Sequence, residues 1–277
     1  MMDIRLIALD LDGTLLTSEK KISPRTKAAL AAARKQGVKV VLTTGRPLKA
    51  MDFLLQELDL DGQAEEYAIT FNGGLIQRNT GEILAEARFS YQEVAELYQL
   101  SRELNLPLDV IQEGTVFNLE GPIVSRYQSF NPSLDFQLIS FADLEEQSFY
   151  NKCISAHDAA ALDGAIQQIP APFFEKYGIF KSRDQLLEWL PKEADKARGL
   201  EKLTALLGLG KDQVMAFGDE ANDLSMVQWA GYGVAMGNAV PALKDVAWKV
   251  LEWTNDQDGV ARAVEEYVLK EKQDGAI

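Results

Sequence analysis

The 277-residue chain has a single cysteine, Cys153, and a single histidine, His157. One cysteine rules out an intramolecular disulfide framework and a multi-cysteine zinc or iron–sulfur site, and one histidine rules out a histidine-cluster metal centre. Basic residues are scarce too: 28 Lys plus Arg stand against 42 Asp plus Glu, a formal net charge of −14. Nucleic acid and anionic membranes are bound through basic surfaces, so this balance argues against both as partners. Long apolar runs are also missing; no stretch reaches the roughly 18 residues that a membrane-spanning helix requires. The first residues do not read as a signal peptide, because Asp3 stands where a basic region belongs and Asp10 and Asp12 cut the apolar run short. The expected location is the cytoplasm.

What is present is the composition of a folded protein. With 47 % apolar and 25 % charged residues, the chain lies outside the disordered, collagenous and low-complexity classes. At roughly 150 residues per domain, the length suggests about two domains.

The first third alternates strand and helix. Ile4–Leu9 is a nearly continuous apolar run, the pattern of a buried parallel strand. Ser23-Pro24 supplies an N-cap and a first-turn proline for an Ala-rich helix over Thr26–Gln36, which stops at Gly37. Val38–Thr43 reads as a second strand. Pro47 opens a helix with Met51, Leu54, Leu55 and Leu58 on one stripe, and Tyr67–Thr70 reads as a third strand. Asn79-Thr80-Gly81 reads as a hairpin turn.

The last third resumes the alternation: a helix from Asp195 to Leu207, a strand Val214–Phe217, a helix Asn222–Trp229, a strand Tyr232–Ala235, a helix from Pro241, an edge strand Trp248–Leu251 and a helix Gly259–Leu269. Between these segments the texture changes. A capping box at Ser90–Glu93, a helix over Ala159–Gln168 and short strands at Leu108–Ile111, Val116–Leu119, Asn151–Ala156, Phe173–Tyr177 and Ile179–Lys181 read as an α+β insert. The expected architecture is therefore α/β: a Rossmann-like parallel-sheet core from residues 1–82 and 191–277, with an inserted α+β cap domain over residues 83–190. Cys153 and His157 fall in the insert and read as structural, and Phe173, Phe174, Tyr177 and Phe180 read as core.

Four segments carry candidate chemistry. Asp10-Leu11-Asp12-Gly13-Thr14 directly follows the first strand, and ligands of open α/β sheets bind outside the carboxyl ends of the strands. In an extended segment Asp10 and Asp12 point to the same side, so one of two mutually repelling carboxylates needs a cation or a proton. Taken singly, an Asp at a strand end is commonly an Asx turn or a helix cap. Thr43-Thr44-Gly45-Arg46 follows the second strand and offers a hydroxyl and a backbone N–H beside a helix start, an anion cradle. Gly218-Asp219-Glu220-Ala221-Asn222-Asp223 adds carboxylates at another strand end, and oxygen-only ligands suit a hard cation such as Mg²⁺. Lys196 begins a core helix. Such a lysine is ordinarily solvated, yet a carboxylate cluster that is to hold a phosphate dianion needs fixed positive charge.

In this order the four segments resemble the motifs of the haloacid dehalogenase (HAD) superfamily, and of its Cof-type, sugar-phosphatase-like hydrolases in particular. Asn72-Gly73-Gly74 and Gly233-Val234-Ala235-Met236-Gly237-Asn238-Ala239 are similar to signatures of that branch. The resemblance covers most of the two core segments, with one departure at Ala197, where relatives usually carry Gly.

The resemblance implies a Mg²⁺-dependent phosphatase of small phosphorylated metabolites, sugar phosphates foremost. Asp10 would attack phosphorus and form an aspartyl-phosphate, and Asp12 would act as acid and then base. Mg²⁺ would be held by a carboxylate oxygen of Asp10, the backbone carbonyl of Asp12 and the carboxylate of Asp219, with Asp223, and Glu220 as a second candidate, acting through metal-bound water. Thr44, the N–H groups of Leu11 and Gly45, and Asn222 would hold phosphate oxygens, with Lys196 neutralising charge between Asp10 and the phosphoryl group. The alternatives are a phosphomutase on the same scaffold and a non-enzymatic, receiver-like phosphoacceptor domain. Nothing in the sequence reads on oligomeric state.

Overall fold

The computed structural model describes residues 2–269; the last eight residues assigned above to the core lie outside that range. The chain forms two compact units. One comprises residues 1–46, 51–85 and 195–277, and the other residues 47–50 and 86–194. The edges of the inserted stretch fall at Ala85 and Ala194.

The first unit is built on an eight-stranded sheet. Its strands run in the spatial order Lys249–Val250, Tyr232–Ala235, Val214–Gly218, Leu6–Leu9, Lys39–Thr43, Tyr67–Thr70, Leu75–Arg78 and Ile83–Glu86. The pairings from Lys249–Val250 through Tyr67–Thr70 are parallel, and Tyr67–Thr70 with Leu75–Arg78 is antiparallel. Leu6–Leu9 is buried at every position, as a central parallel strand with both faces covered must be. Leu6 and Ala8 pack with Val41, Ile69, Val214 and Ala216 against Leu200 and Leu203 of helix Lys196–Leu207. Ile7 and Leu9, equally buried, point to the opposite face.

The local signals act as read. Ser23 Oγ accepts the Thr26 N–H at 3.1 Å and Pro24 occupies the first position of helix Pro24–Lys35. Met51, Leu54 and Leu55 are buried on a single turn Leu48–Met51 that continues as helix Asp52–Glu57, and Leu58, which caps the end of that helix, is buried too. The hairpin at Asn79–Gly81 closes with Gly81 at φ +91°. Among the described residues no helix is long and apolar enough to cross a membrane.

The second unit is an α+β layer pair. Its six-stranded sheet runs in the order Tyr177–Arg183, Leu186–Pro191, Lys152–Ala156, Asp109–Gln112, Thr115–Leu119 and Asp135–Ile139. Helix Tyr91–Glu103, begun by the Ser90–Glu93 capping box, and helix Ala159–Ile166 supply Val94, Leu97, Leu100, Leu162 and Ala165 to a core shared with Val110, Cys153, Leu187 and Trp189 of the sheet. Cys153 is thus a core residue, and burial pushes its thiol pKa well up.

Two readings change here. Phe173–Tyr177 is not a strand: Ala171–Lys176 is a short helix with a proline in its first turn, and the strand starts only at Tyr177. Phe174 is consequently exposed rather than core, while Phe173 packs beside buried Tyr177 at a ring-centroid distance of 5.9 Å. Strands Asp135–Ile139 and Leu186–Pro191 were not anticipated; the first is a largely exposed edge, and the second ends in a proline.

Candidate active site

Leu9 pairs with Phe217 on one side and Leu42 on the other. The carboxyl ends of three adjacent parallel strands therefore lie side by side, and Asp10, Asp219 and Thr44 meet at one rim. Gly13 lets the chain turn there with φ +81°, and a Cβ on it would stand 2.1 Å from Asp219 Oδ2. Only glycine permits this approach.

Helix Lys196–Leu207, capped by the Asp195 carboxylate on the Arg198 N–H, brings Lys196 to the same rim. Its side chain is fully enclosed, unlike a lysine at an ordinary helix start. Nζ donates to Asp10 Oδ1 at 2.6 Å and to Asp223 Oδ1 at 2.5 Å. Burial on its own would lower the ammonium pKa, but the two carboxylates reverse the effect and hold it above its usual range. Asp223 Oδ2 accepts the N–H groups of Asp219 and Glu220 at 3.0 and 3.1 Å. Both oxygens of Asp223 thus brace the loop and the lysine. Glu220 is exposed.

Asp10, Asp219 and Asp223 each offer an oxygen within 4.8 Å of the others. Three carboxylates face one ammonium, and burial together with this surplus of negative charge weakens the acidity of Asp10 and of Asp219. Burial, reinforced by Asp223 and opposed by Lys196, pushes Asp10 up to about 7. Burial also pushes Asp219 up to about 7; the Thr14 hydroxyl, 2.8 Å from Oδ1, opposes it, and Asp223 and Glu220 add to it. A pocket of hard, oxygen-only donors with uncompensated negative charge fits a divalent cation.

The repulsion between Asp10 and Asp12 is relieved by side-chain cations, Lys196 on Asp10 and Lys20 and Arg46 on Asp12. Asp12 Oδ1 accepts from Lys20 Nζ at 2.7 Å and Oδ2 from Arg46 at 2.5 Å. Burial would raise its pKa, but Arg46 and Lys20 outweigh that and hold it below the ordinary carboxylate range.

Thr44, Gly45 and Asn222 converge through Asn72. The Thr44 carbonyl accepts the Asn72 N–H at 2.9 Å, and Thr44 Oγ1 accepts the Arg46 N–H at 3.2 Å. A Cβ on Gly45 would lie 3.0 Å from Asn72 Nδ2, and Asn222 Nδ2 donates to Asn72 Oδ1 at 3.2 Å. Leu11 is buried, and its carbonyl accepts the Leu16 N–H at 2.8 Å.

The rim therefore gathers Asp10, Thr44, Gly45, Lys196, Asp219, Asn222 and Asp223, with Asp12 held beside it by Arg46. Sequence reasoning gave no role to Arg46, Lys20, Thr14 or Asn72. Arg46 and Thr14 lay within quoted motifs, and Asn72, at φ +55°, within the Asn-Gly-Gly signature. Lys20 lies in a turn, where no periodic signal marks it.

A family model described as haloacid dehalogenase-like hydrolase matches residues 7–264. A protein of Streptococcus pyogenes serotype M6, named as a candidate phosphatase, is 36% identical over 97% of this chain and 100% of its own length. The Bacillus subtilis 5-amino-6-(5-phospho-D-ribitylamino)uracil phosphatase YitU is 29% identical over 95% of this chain and 97% of its own. A crystal structure of a haloacid dehalogenase-like hydrolase from Bacteroides thetaiotaomicron superposes with a TM-score of 0.83 at 31% identity, covering 95% of this chain and 99% of that one. The chain belongs to the haloacid dehalogenase-like hydrolases, in their Cof-type branch. Within that family it is an enzyme of the phosphatase class.

Proposed function

We propose that this phosphatase is Mg²⁺-dependent, acts on small phosphorylated metabolites, and works through an aspartyl-phosphate on Asp10. Sugar phosphates and the closely related polyol phosphates are the substrate class. One observation carries the reading: Lys196 Nζ sits 2.6 Å from Asp10 Oδ1 inside a cluster of three buried carboxylates. Such a cluster is costly to fold without a further cation and is suited to a reacting phosphoryl group with one. The polyol assignment draws support from the phosphorylated ribityl group in the name of the Bacillus subtilis relative.

Asp10 and Asp219, with the carbonyl of Asp12, would hold Mg²⁺, which when bound supplies positive charge to the phosphoryl oxygens. Lys196 holds Oδ1 of Asp10 and leaves Oδ2 for attack on phosphorus. As that O–P bond forms, the bond from phosphorus to the ester oxygen breaks, and Asp12, carrying the proton it takes up in the second half-reaction of the preceding turnover, delivers it to the departing oxygen. In the second half-reaction ionised Asp12, the state that Arg46 and Lys20 favour, takes a proton from the water that hydrolyses the acyl phosphate. Thr44, the N–H groups of Leu11 and Gly45, and Asn222 bind the phosphoryl oxygens. Asp223 keeps Lys196 and the Asp219 loop in place.

The test is phosphate release from a panel of sugar and polyol phosphates, with the Asp10→Asn protein alongside. Turnover of at least one substrate that the substitution reduces more than about a thousandfold supports the reading. Substantial turnover by Asp10→Asn overturns the nucleophile. Conversion of the substrate to an isomeric phosphate, with little free phosphate, would favour a mutase.

A further inference from the structure

Both oxygens of Asp219 carry a hydrogen-bond donor. Thr14 Oγ1 donates to Oδ1 at 2.8 Å. On the other side Asn238 Nδ2 lies 3.4 Å from Oδ2, and it also donates to the carbonyl oxygen of Gly13 at 2.8 Å. An amide NH₂ has two hydrogens, one for each acceptor.

Asn238 is in a loop after strand Tyr232–Ala235 that is fastened, on either side of Asn238, to the end of strand Val214–Gly218 and to Asp219 just beyond it. The Met236 N–H donates to the Gly218 carbonyl at 3.1 Å, and the Val240 N–H to the Asp219 carbonyl at 2.9 Å. A Cβ on Gly237 would stand 2.9 Å from the Trp253 carbonyl oxygen, so the glycine brings this loop against residues 253–255. There the Asn255 N–H donates to Asn238 Oδ1 at 3.1 Å, and Asn255 is itself anchored through its Nδ2 on the Leu16 carbonyl at 2.8 Å. This fixes the sense of the amide. Shape alone does not distinguish the oxygen of an amide from its nitrogen, but a backbone N–H can only donate. Its partner is therefore Oδ1, and the NH₂ end is the one turned toward Gly13 and Asp219.

We propose that Asn238 is a positioning residue of the cation site. One NH₂ group fixes the Asp219 carboxylate against the Gly13 carbonyl, so that the lone pairs Asp219 has left converge with those of Asp10. The inference rests on the reading that Asp10 and Asp219 hold a divalent cation. Asparagine suits the position because it donates without adding a fourth negative charge to an already acidic rim. Hydrogen-bond partners of metal ligands commonly carry about 10–100-fold of metal affinity.

The experiment is Mn²⁺ binding to the metal-stripped full-length protein, read by paramagnetic resonance of the free ion, for wild type, Asn238→Ala, Thr14→Val and Asp219→Asn. In Asn238→Ala the dissociation constant is expected to rise about tenfold, with the melting temperature of the stripped protein unchanged. The Mg²⁺ concentration for half-maximal turnover shifts equally, and kcat recovers at saturation. Thr14→Val, of similar shape, weakens binding in the same direction. Asp219→Asn loses it by a larger factor. If Asn238→Ala binds Mn²⁺ like wild type while Asp219→Asn does not, the inference fails and the cation reading stands. If Asp219→Asn also binds like wild type, both fail. Should Asn238→Ala not fold, Asn238→Leu keeps the side-chain volume and removes the donors; wild-type affinity in that protein overturns the inference.

Discussion

Lys196 Nζ and Asp223 Oδ1 meet at 2.5 Å with both side chains wholly shielded from solvent. The pair joins the helix that starts at Lys196 to the loop that carries Asp219, and its lysine reaches Asp10 as well. Removing one member of a buried pair strands the other's charge, a loss of about 3–5 kcal/mol. Lys196→Met is therefore expected to lose about that much stability at pH 8 by urea denaturation, together with turnover. At pH 5 the deficit shrinks, because stranded Asp10, whose acidity burial already weakens, takes up a proton. An unchanged urea midpoint at pH 8 would mean that the ammonium is not structural.

The raised acidities of Asp10 and Asp219 give a second prediction. Both move from 3.8 to about 7 on folding. Between these values the native protein holds protons that the unfolded chain has released, so stability falls as pH rises through that window. Asp12 is shifted the other way, and its contribution is lost only at pH values below that window. Metal-stripped protein should be more stable at pH 5 than at pH 8, with a melting temperature about 4–8 °C higher for a difference of about 2 kcal/mol. Mg²⁺ should restore stability at pH 8 and do little at pH 5, where protons compete for the same oxygens. Calorimetry at the two pH values decides, and a stripped protein indifferent to pH contradicts the surplus of negative charge.

Arg46 and Lys20 share Asp12 unequally. The Arg46 side chain is 25% exposed and that of Lys20 57%, so the arginine contact is the less screened of the two. Arg46→Ala should lower kcat about 10–100-fold, with stability changed by less than about 1 kcal/mol, since a partly exposed ion pair is weak. Lys20→Ala should change kcat only a few-fold. Steady-state kinetics with urea titration separates the effects, and equal losses in the two variants would refute this ranking.

Strand-end chemistry was legible because it is local. Asp10, Thr44 and Asp219 each close an apolar run, and the rule that parallel strands end at one rim brings them together without any knowledge of side-chain contacts. Lys196 was legible only through the charge the cluster lacks, since its own position at a helix start ordinarily means solvent. Asn72 and Asn238 could not be given roles from spacing, because each acts through a partner distant in sequence, Asn222 in one case and Asp219 in the other. In the inserted segment, Phe173 and Phe174 suggested a strand by residue type, but Pro172 in the first turn set a helix instead. Strand Leu186–Pro191 is buried at all six positions and pairs on both sides; its buried Glu188 is paired with Lys152, a partner distant in sequence, so the segment shows neither an unbroken apolar run nor a clean alternation from which a strand could be read.

Two glycines of like conformation isolate backbone strain from geometry at the site. Gly13 has φ +81° and Gly81 φ +91°, a region where a Cβ is unfavourable. A Cβ at Gly81 meets nothing within 4 Å, whereas one at Gly13 would fall 2.1 Å from Asp219 Oδ2 and 2.7 Å from Cγ. Gly81→Ala should therefore lose only the strain of the left-handed conformation, about 1–2 kcal/mol, and keep its turnover. Gly13→Ala carries the same strain and must also displace the Asp219 carboxylate. A displacement of about 1 Å at a reacting centre can lower turnover about a hundredfold, so turnover should fall by at least that factor and Mn²⁺ affinity should fall with it. Thermal melts, phosphate release and Mn²⁺ titration on the two proteins test the contrast. Equal turnover in both would show that the contact between residue 13 and Asp219 has no part in the chemistry.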